Sequence, residues 1–203
     1  RLHANNIDYP CVLKPLNLSA SQGVIRANNQ TEFVKAFERI KALLLDNDSR
    51  TKNKILIEDY IEGEEVALEG LMVNGKLTML ALFDKPDPLE GPYFEETIYI
   101  TPSRKSIEIQ NSIRNMAEQA ANSIGLKEGP LHIELRLHPN TRTSNKTGPC
   151  VIDMAARSIG GLCSRSLQFS DGLTLEDVIL QHATGKPIET NRENKASGVM
   201  MIP

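Results

Sequence analysis

The sequence is short of cysteine, of charge of one sign and of long apolar runs, and each shortage removes a class of protein. Its three cysteines, Cys11, Cys150 and Cys163, lie far apart without CxxC spacing, which disfavours a disulfide framework or a zinc site. The net charge of −3 comes from interspersed signs, so no surface for nucleic acid or an anionic membrane is expected. No apolar run is long enough to cross a bilayer, and the first residues do not open a secretory signal. We therefore expect a soluble, globular, cytoplasmic protein.

The length and the two ends predict how the chain is organised. Its 203 residues suit one large domain or two small lobes. The chain starts with Arg1 instead of methionine, and residues 199–202 resemble a strand whose continuation is missing. We therefore expect a processed chain or an excised piece of a longer protein.

Hydrophobic periodicity predicts an α+β fold with antiparallel sheets in two lobes. Amphipathic helices are expected at 31–45 and 106–124, and a third begins after a capping box at Thr174. Asn74-Gly75 supplies the two positive φ angles of a type I′ hairpin turn. The strands expected on this basis are 9–14, 24–25, 55–57, 65–73, 76–83, 97–100, 131–137, 150–156 and 199–202. Polar stretches at 47–53 and 139–149 are expected to be exposed connections.

Two predicted strands carry acidic and basic side chains in alternation with apolar ones. Because side chains alternate across a strand, the first places His132, Glu134, Arg136 and His138 on one face. The second places Asp153, Ala155 and Arg157 on one face, opposite Ile152 and Met154. If the strands are neighbours, two carboxylates and an arginine share a sheet face, a set suited to Mg²⁺ and phosphate. The alternative is an exposed salt-bridge cluster of little energetic value.

Two further segments have residue types that suit a nucleotide. Lys14 ends a strand and is followed by a loop of small residues containing Ser19, Ser21 and Gly23, whose backbone N–H groups can approach phosphate closely. The acidic segment 58–65 contains Gly63, which indicates a chain reversal or hinge. Each segment taken alone also fits an ordinary surface loop.

In chain order, these segments resemble the ATP-grasp family, and the resemblance covers nearly the whole chain. It rests on Lys14-Pro15 at a strand end, on the small-residue loop, on the pattern Glu-x-φ-φ-x-Gly-x-Glu over 58–65, and on the two carboxylate segments. The resemblance implies an α+β ATP-grasp fold whose lobes, 1–62 and 63–203, clasp ATP.

The resemblance also implies roles for individual residues. Lys14, Ser19, Ser21 and Gly23 would contact the phosphates of ATP. Glu58, Asp59 and Ile61 would line adenine, and Glu65 would hold the ribose. Glu134 and Asp153 would bind Mg²⁺ or Mn²⁺. Arg157 would be the catalytic residue that stabilises the transferring phosphate.

The run Ala155-Ala156-Arg157-Ser158-Ile159-Gly160-Gly161 resembles the "AARxxGG" style of the L-amino-acid-ligase-like group. That resemblance implies a ligase that joins a small carboxylate to an amine through an acyl phosphate and releases ADP and phosphate. The implied partners are ATP and the two small substrates, with no nucleic acid and no membrane. A homodimer is one option for its assembly.

Three departures from the family pattern keep other functions open. Asp153 stands where the family usually has Glu, and Ala155 stands where many members have a metal-binding Asn. The segment before Tyr9 is also too short for the family's preceding domain. The alternatives are another ATP-grasp chemistry, such as that of a carboxylase or a nucleotide-biosynthetic ligase, or a nucleotide-binding module without turnover.

Overall fold

The computed structural model describes residues 7–46, 54–138, 148–193 and 195–202. Three helices occur in these ranges: α1 Gln30–Asp46, α2 Ile107–Ser123 and α3 Leu175–Ala183. The strands are β1 Cys11–Pro15, β2 Ile25–Ala27, β3 Ile55–Asp59, β4 Glu64–Val73, β5 Lys76–Lys85, β6 Ile98–Thr101, β7 Gly129–His138, β8 Gly148–Ala155 and β9 Ser197–Met200. The exposed connections predicted at 47–53 and over most of 139–149 lie outside the described residues. The α+β class with antiparallel sheets is confirmed.

The described residues form two compact units. The first comprises those within Arg1–Ile61 and Leu89–Glu96, and the second those within Glu62–Pro88 and Thr97–Pro203. The segment 89–96 therefore belongs with the first unit, although it follows the second unit's hairpin in sequence. The lobe ranges 1–62 and 63–203 stay a prediction.

In the first unit, β1 is the central strand of an antiparallel sheet with the order β2-β1-β3. Helix α1 packs on one face of this sheet, because its apolar residues recur at intervals of three and four. The buried core residues are Cys11, Leu13, Ile25, Ala27, Phe33, Ala36, Ile40 and Leu44. Lys14 alternates with Leu13 and so lies on the face of β1 that α1 does not cover.

In the second unit, six strands form an antiparallel sheet with the order β8-β7-β4-β5-β6-β9. The hairpin between β4 and β5 is confirmed, with positive φ at both Asn74 (51°) and Gly75 (76°). Helix α2 covers one face of the sheet. Helix α3 and the segment around Ile159 and Cys163 contribute to the core on the other face. Polar side chains of β4, β5 and β7 share that second face, which therefore has an apolar part and a charged part.

Helix α2 buries a narrower stripe than its sequence indicates. Ile113, Ala117 and Ala121 are fully buried, whereas the apolar residues Ile109 and Ile124 of the helix predicted at 106–124 are exposed. Residues four apart lie on one line of a helix, and this line contacts the sheet only along the middle of α2. The two isoleucines lie in the first turn and at the C-cap, beyond that contact.

Helix α3 begins with the capping box that the sequence predicts. The Thr174 hydroxyl accepts the N–H of Asp177 at 3.2 Å, and the Asp177 carboxylate accepts the N–H of Thr174 at 2.9 Å. We expect Thr174→Ala to lower the free energy of unfolding by about 1 kcal/mol, because the N–H of Asp177 loses the hydroxyl oxygen that accepts it. Urea unfolding of this variant beside Thr174→Ser, which keeps the hydroxyl, would measure it. Equal stability of the Ala and Ser variants would contradict the prediction.

Among the described residues, no helix combines the length and the apolar character needed to cross a bilayer.

Candidate functional site

The predicted site residues fall into two groups, one in each unit. In the first unit, the antiparallel register of β1 with β3 pairs Lys14 with Leu56 and Val12 with Glu58. Lys14 and Glu58 therefore project from the same face, and the Lys14 ammonium lies 2.7 Å from the Glu58 carboxylate. Both side chains keep part of their surface in solvent. A cation and an acceptor are thus adjacent on the open face of the sheet.

The loop between β1 and β2 contains backbone conformations that residues other than glycine rarely adopt. Ala20, Ser21 and Gly23 all have positive φ angles, of 54°, 56° and 74°. The loop closes on itself through the N–H of Gln22 to Ser19 O, at 3.2 Å, and the N–H of Val24 to Ser21 O, at 3.1 Å. A Cβ on Gly23 would lie only 3.1 Å from Cγ of Pro15. The loop therefore needs small residues, and it begins two residues after Lys14.

The hinge pattern spans the boundary between the units. Glu58 and Asp59 end β3, with Glu58 partly and Asp59 largely exposed, and Ile61 is partly buried. Gly63 has a φ of 119°, and a Cβ there would collide with the carbonyl oxygen of Leu137 in β7. Only glycine fits this close approach of two backbones.

The segment 89–96, where the sequence predicts neither a helix nor a strand, is part of the first unit. The N–H of Arg26 donates to Pro92 O at 2.9 Å, and the Arg26 guanidinium donates to Glu90 O at 2.8 Å. That guanidinium lies 3.9 Å from the centre of the Tyr60 ring, and Tyr60 stacks on Phe94 at 6.5 Å. This stack anchors Tyr60, which lies between the two predicted adenine contacts Asp59 and Ile61. No local periodicity in the sequence signals it.

In the second unit, β7 and β8 are neighbours, and Glu134 lies directly opposite Asp153. The two strands are therefore neighbours, as the prediction that Glu134 and Asp153 share one sheet face requires. Leu135 pairs with Val151, so Ile152 is the extra residue of a β-bulge between the two pairs. As a result Val151 and Met154 both pack toward α2. The prediction that strand alternation places Ile152 on the same face as Met154 therefore does not hold. Arg157 follows β8 and is exposed.

The polar side chains in the middle of β7 are largely buried. The alternative prediction of an exposed salt-bridge cluster is therefore wrong for this part of the strand. Arg136 donates to one oxygen of Glu65 from Nε at 3.1 Å and from Nη2 at 3.0 Å. Lys85 Nζ lies 2.5 Å from the other oxygen of Glu65 and 3.2 Å from Glu134 Oε1. Glu65, Lys85 and Arg136 are each less than 8% exposed. Four charged side chains from three adjacent strands thus form one network.

Lys85, which the sequence did not single out as a site residue, is a candidate functional residue because it is buried beside Glu134. The signal that could have found it is the pairing of Glu65 with Lys85 across the confirmed hairpin. Both oxygens of Glu65 are engaged inside the sheet, so a ribose hydroxyl would have to share one of them. The role of Glu65 toward ribose stays a prediction.

A second buried pair lies beside this network. Glu69 of β4 faces His132 of β7 across the strands, and Glu69 Oε1 makes a close contact with His132 Nδ1. Burial raises the pKa of Glu69, although its hydrogen bonds to His132 and Ile159 act in the opposite direction. Burial alone would lower the pKa of His132, but the hydrogen bond and charge of Glu69 outweigh it and the pKa is raised. Sequence alternation placed His132 on this face without indicating its partner.

The donor set on this face fits a divalent cation bound together with phosphate. Among the described residues there is no cluster of three or more acidic, His or Cys side chains that could hold a metal by themselves. Glu134 and Asp153 provide two carboxylates, and Mg²⁺ commonly takes one or two carboxylates and completes its shell with water and phosphate oxygens. A cation at Glu134 would share that carboxylate with Lys85.

Comparison with known proteins identifies the family of this chain. The model of the ATP-grasp domain family matches residues 7–166. Alanine–anticapsin ligase of Bacillus subtilis strain 168 is 26% identical over 196 residues, which are 89% of this chain and 40% of that protein. D-alanine–D-alanine ligase of Wigglesworthia glossinidia brevipalpis is 33% identical over 128 residues, 59% of this chain and 33% of that protein.

The fold agrees with that of a solved relative. The crystal structure of an L-amino acid ligase from Bacillus licheniformis superimposes with a TM-score of 0.78 and 29% identity, covering 97% of this chain and 47% of that one. The chain spans less than half the length of each of these relatives. The expected ATP-grasp fold is confirmed, and the chain belongs to the ATP-grasp family.

Proposed function

We propose that this chain provides the ATP-binding and metal-binding part of a ligase that joins a small carboxylate to an amine. The observation that carries the proposal is the pair of carboxylates, Glu134 opposite Asp153, with Arg157 just beyond the end of β8. These three residues belong to the acidic and basic types that phosphoryl transfer requires. The whole protein's substrates are part of the same proposal.

In the second unit, Glu134 and Asp153 would hold Mg²⁺ or Mn²⁺. The ion would neutralise charge on the β- and γ-phosphates. Arg157 is exposed and its guanidinium donates a hydrogen bond to the adjacent Ser158 carbonyl at 2.8 Å, so it could turn toward an incoming phosphate. Lys85 adds a second cation next to Glu134. Together they would stabilise negative charge on a transferring phosphoryl group.

In the first unit, Lys14 and the loop with Ser19, Ser21 and Gly23 would contact phosphate. An ammonium contributes charge, and small side chains let backbone N–H groups come close. Glu58, Asp59 and Ile61 would line the adenine. The Arg26–Tyr60–Phe94 stack supports this assignment because it holds the backbone between Asp59 and Ile61 in place.

The reaction would proceed in two displacements. A carboxylate oxygen of the first substrate attacks the γ-phosphorus, the bond to the β,γ-bridging oxygen breaks, and ADP leaves. The amine nitrogen of the second substrate then attacks the acyl carbon, the bond to the phosphate oxygen breaks, and the nitrogen loses a proton. The protein's contribution is orientation, charge stabilisation and exclusion of water, which would otherwise hydrolyse the acyl phosphate.

The names of the relatives support a carboxylate and an amine as substrates. Alanine–anticapsin ligase is named for joining alanine to anticapsin, D-alanine–D-alanine ligase for joining two D-alanines, and the solved relative is an L-amino acid ligase. The run from Ala155 to Gly161 resembles the same group. We therefore favour amino-acid-type substrates over a carboxylase or nucleotide-biosynthetic chemistry. A homodimer stays a prediction.

The test is ADP release by the full-length protein with Mg²⁺ and pooled amino acids and small carboxylates. We expect release that requires both a carboxylate and an amine, and that Glu134→Gln lowers by about 100-fold, because one metal carboxylate is lost. Bicarbonate-dependent release without an amine would favour a carboxylase. Tight Mg²⁺-ATP binding without turnover in any pool would favour a nucleotide-binding module, and absence of ATP binding would contradict the proposal.

A further inference from the structure

The carboxylate of Glu69 joins two buried partners that are far apart in sequence. One oxygen contacts Nδ1 of His132. The other accepts the backbone N–H of Ile159 at 3.0 Å. Glu69 is 2% exposed and His132 is 6% exposed. A carboxylate is costly to bury unless hydrogen bonds satisfy it, and here each oxygen has a defined donor.

The Ile159 N–H belongs to the short connection that carries Arg157. Strand β8 ends at Ala155, so beyond that residue no neighbouring strand holds the backbone. The connection then turns sharply, with left-handed φ angles at Gly161 (61°) and Leu162 (64°). The bond from Ile159 to Glu69 fixes this backbone two residues after Arg157. The Ile159 side chain adds a second attachment, because it is buried in the core below the connection.

His132 determines which way the Glu69 carboxylate faces. The two residues are direct partners across β4 and β7, and burial limits both side chains to few rotamers. With one oxygen held by Nδ1, the second oxygen is directed toward Ile159. The other ring nitrogen, Nε2, lies 3.9 Å from Glu134 Oε1, which is beyond hydrogen-bonding distance. The hydrogen bonds of this pair therefore join the two side chains to each other and to the Ile159 N–H, and not to Glu134.

We propose that Glu69 is a positioning residue for phosphoryl transfer: it anchors the backbone at Ile159 and thereby holds Arg157 where the transferring phosphate would be bound. His132 orients Glu69 for this task. The inference rests on the proposed function of Arg157. The neighbouring residues on the same face of β4, Ala67 and Leu71, are buried and apolar, so packing by itself would be satisfied by a leucine at position 69.

Two substitutions separate the hydrogen bond from the side chain's volume. Glu69→Leu keeps an apolar side chain of similar size but cannot accept the Ile159 N–H. Glu69→Gln keeps an amide oxygen for Ile159, and its NH₂ can donate to the opposite tautomer of His132. We expect Glu69→Leu to lower kcat by up to about 100-fold with little change in KM for ATP, whereas Glu69→Gln retains most of kcat.

Hydrogen exchange supplies a readout that does not need turnover. We expect the amide of Ile159 to exchange faster in Glu69→Leu, and to remain slow in Glu69→Gln. If Glu69→Leu does not fold, the double variant Glu69→Leu/His132→Leu replaces both buried polar partners, which is better tolerated than removing one. It still lacks an acceptor for Ile159.

The kinetic coupling to Arg157 distinguishes positioning from general damage. In an Arg157→Ala background, Glu69→Leu should cause little further loss of kcat, because the group it positions is already absent. Three outcomes would each overturn this inference without affecting the proposed function. The first is that Glu69→Leu lowers kcat by the same factor with Arg157 and with Ala at position 157. The others are an equal loss of kcat in Glu69→Gln and Glu69→Leu, and unchanged exchange at Ile159 in active Glu69→Leu. Failure of the unmodified protein to release ADP with any substrate pool would instead overturn the proposed function.

Discussion

Arg157→Ala is expected to lower kcat for ADP release by about 1,000-fold, and to leave KM for ATP nearly unchanged. The reason is that a guanidinium aimed at a transferring phosphoryl group stabilises charge that develops mainly in the transition state. The side chain is exposed and donates a hydrogen bond to the adjacent Ser158 carbonyl, so its removal should leave the fold intact. Steady-state kinetics with saturating carboxylate and amine would measure both constants.

Two variants serve as controls for this result. Arg157→Lys keeps the charge but loses the planar fork that pairs with two phosphate oxygens, and should have an intermediate kcat. Arg165→Ala removes another exposed arginine nearby in sequence and should leave kcat unchanged. If Arg157→Ala turned over as fast as the unmodified protein, Arg157 would have no catalytic role. A rise in KM with unchanged kcat would make Arg157 a ground-state binding residue instead.

Arg136→Met is expected to lower the free energy of unfolding by about 3 to 5 kcal/mol, because it leaves the Glu65 carboxylate buried with fewer donors. Arg136 and Glu65 are both almost inaccessible to solvent, and two hydrogen bonds join them. Methionine replaces the apolar stem of the arginine but not its charge. Urea unfolding at neutral pH would measure the change as a shift of the midpoint at constant slope.

The matched control is an ion pair at the surface of the same unit. Lys105 contacts Glu64, whose side chain is 71% exposed, and Lys105→Met should cost no more than about 1 kcal/mol. If Arg136→Met and Lys105→Met lowered the free energy of unfolding equally, the buried network would contribute no more to stability than a surface ion pair does. Combining Arg136→Met with Glu65→Gln should recover part of the loss, since the second change neutralises the carboxylate that the first leaves behind.

These two arginines illustrate how the second unit divides its charged residues. Arg136 is buried and paired across adjacent strands, so it keeps Glu65 and Lys85 in place beside Glu134. Arg157 is exposed on the connection after β8, where we propose that it contacts a phosphate. Substitution of Arg136 is expected to lower mainly the free energy of unfolding, and substitution of Arg157 is expected to lower mainly kcat.

Local patterns in the sequence predicted those features that depend on short-range geometry. The positive φ angles at Asn74 and Gly75 follow from the turn that joins two adjacent strands, and the Thr174 capping box follows from a three-residue spacing. Strand alternation placed Glu134 on the face opposite Ile133, because a side-chain period of two is a property of any strand. The ordered resemblance, rather than any single motif, carried the prediction of the ATP-grasp fold.

Other features depend on which strands are neighbours, and no local pattern contains that information. The bulge at Ile152 arises in the pairing of β8 with β7. The burial of Lys85 depends on the position of β5 between β4 and β6 in the sheet, which its neighbours in sequence do not indicate. The attachment of residues 89–96 to the first unit depends on Arg26 and Tyr60, which precede that segment by more than twenty-five residues.

The sequence by itself therefore determined most elements, the hairpin and the helix cap, and it predicted the set of side chains that we propose bind ATP and a divalent cation. The tertiary structure alone decided that Glu65, Lys85 and Arg136 are buried as one network, and that Glu69 binds the backbone N–H of Ile159. The physical reason is that periodicity and turn chemistry act over a few residues. Burial and hydrogen bonding between residues ninety positions apart exist only once the strands have paired and the core has closed over them.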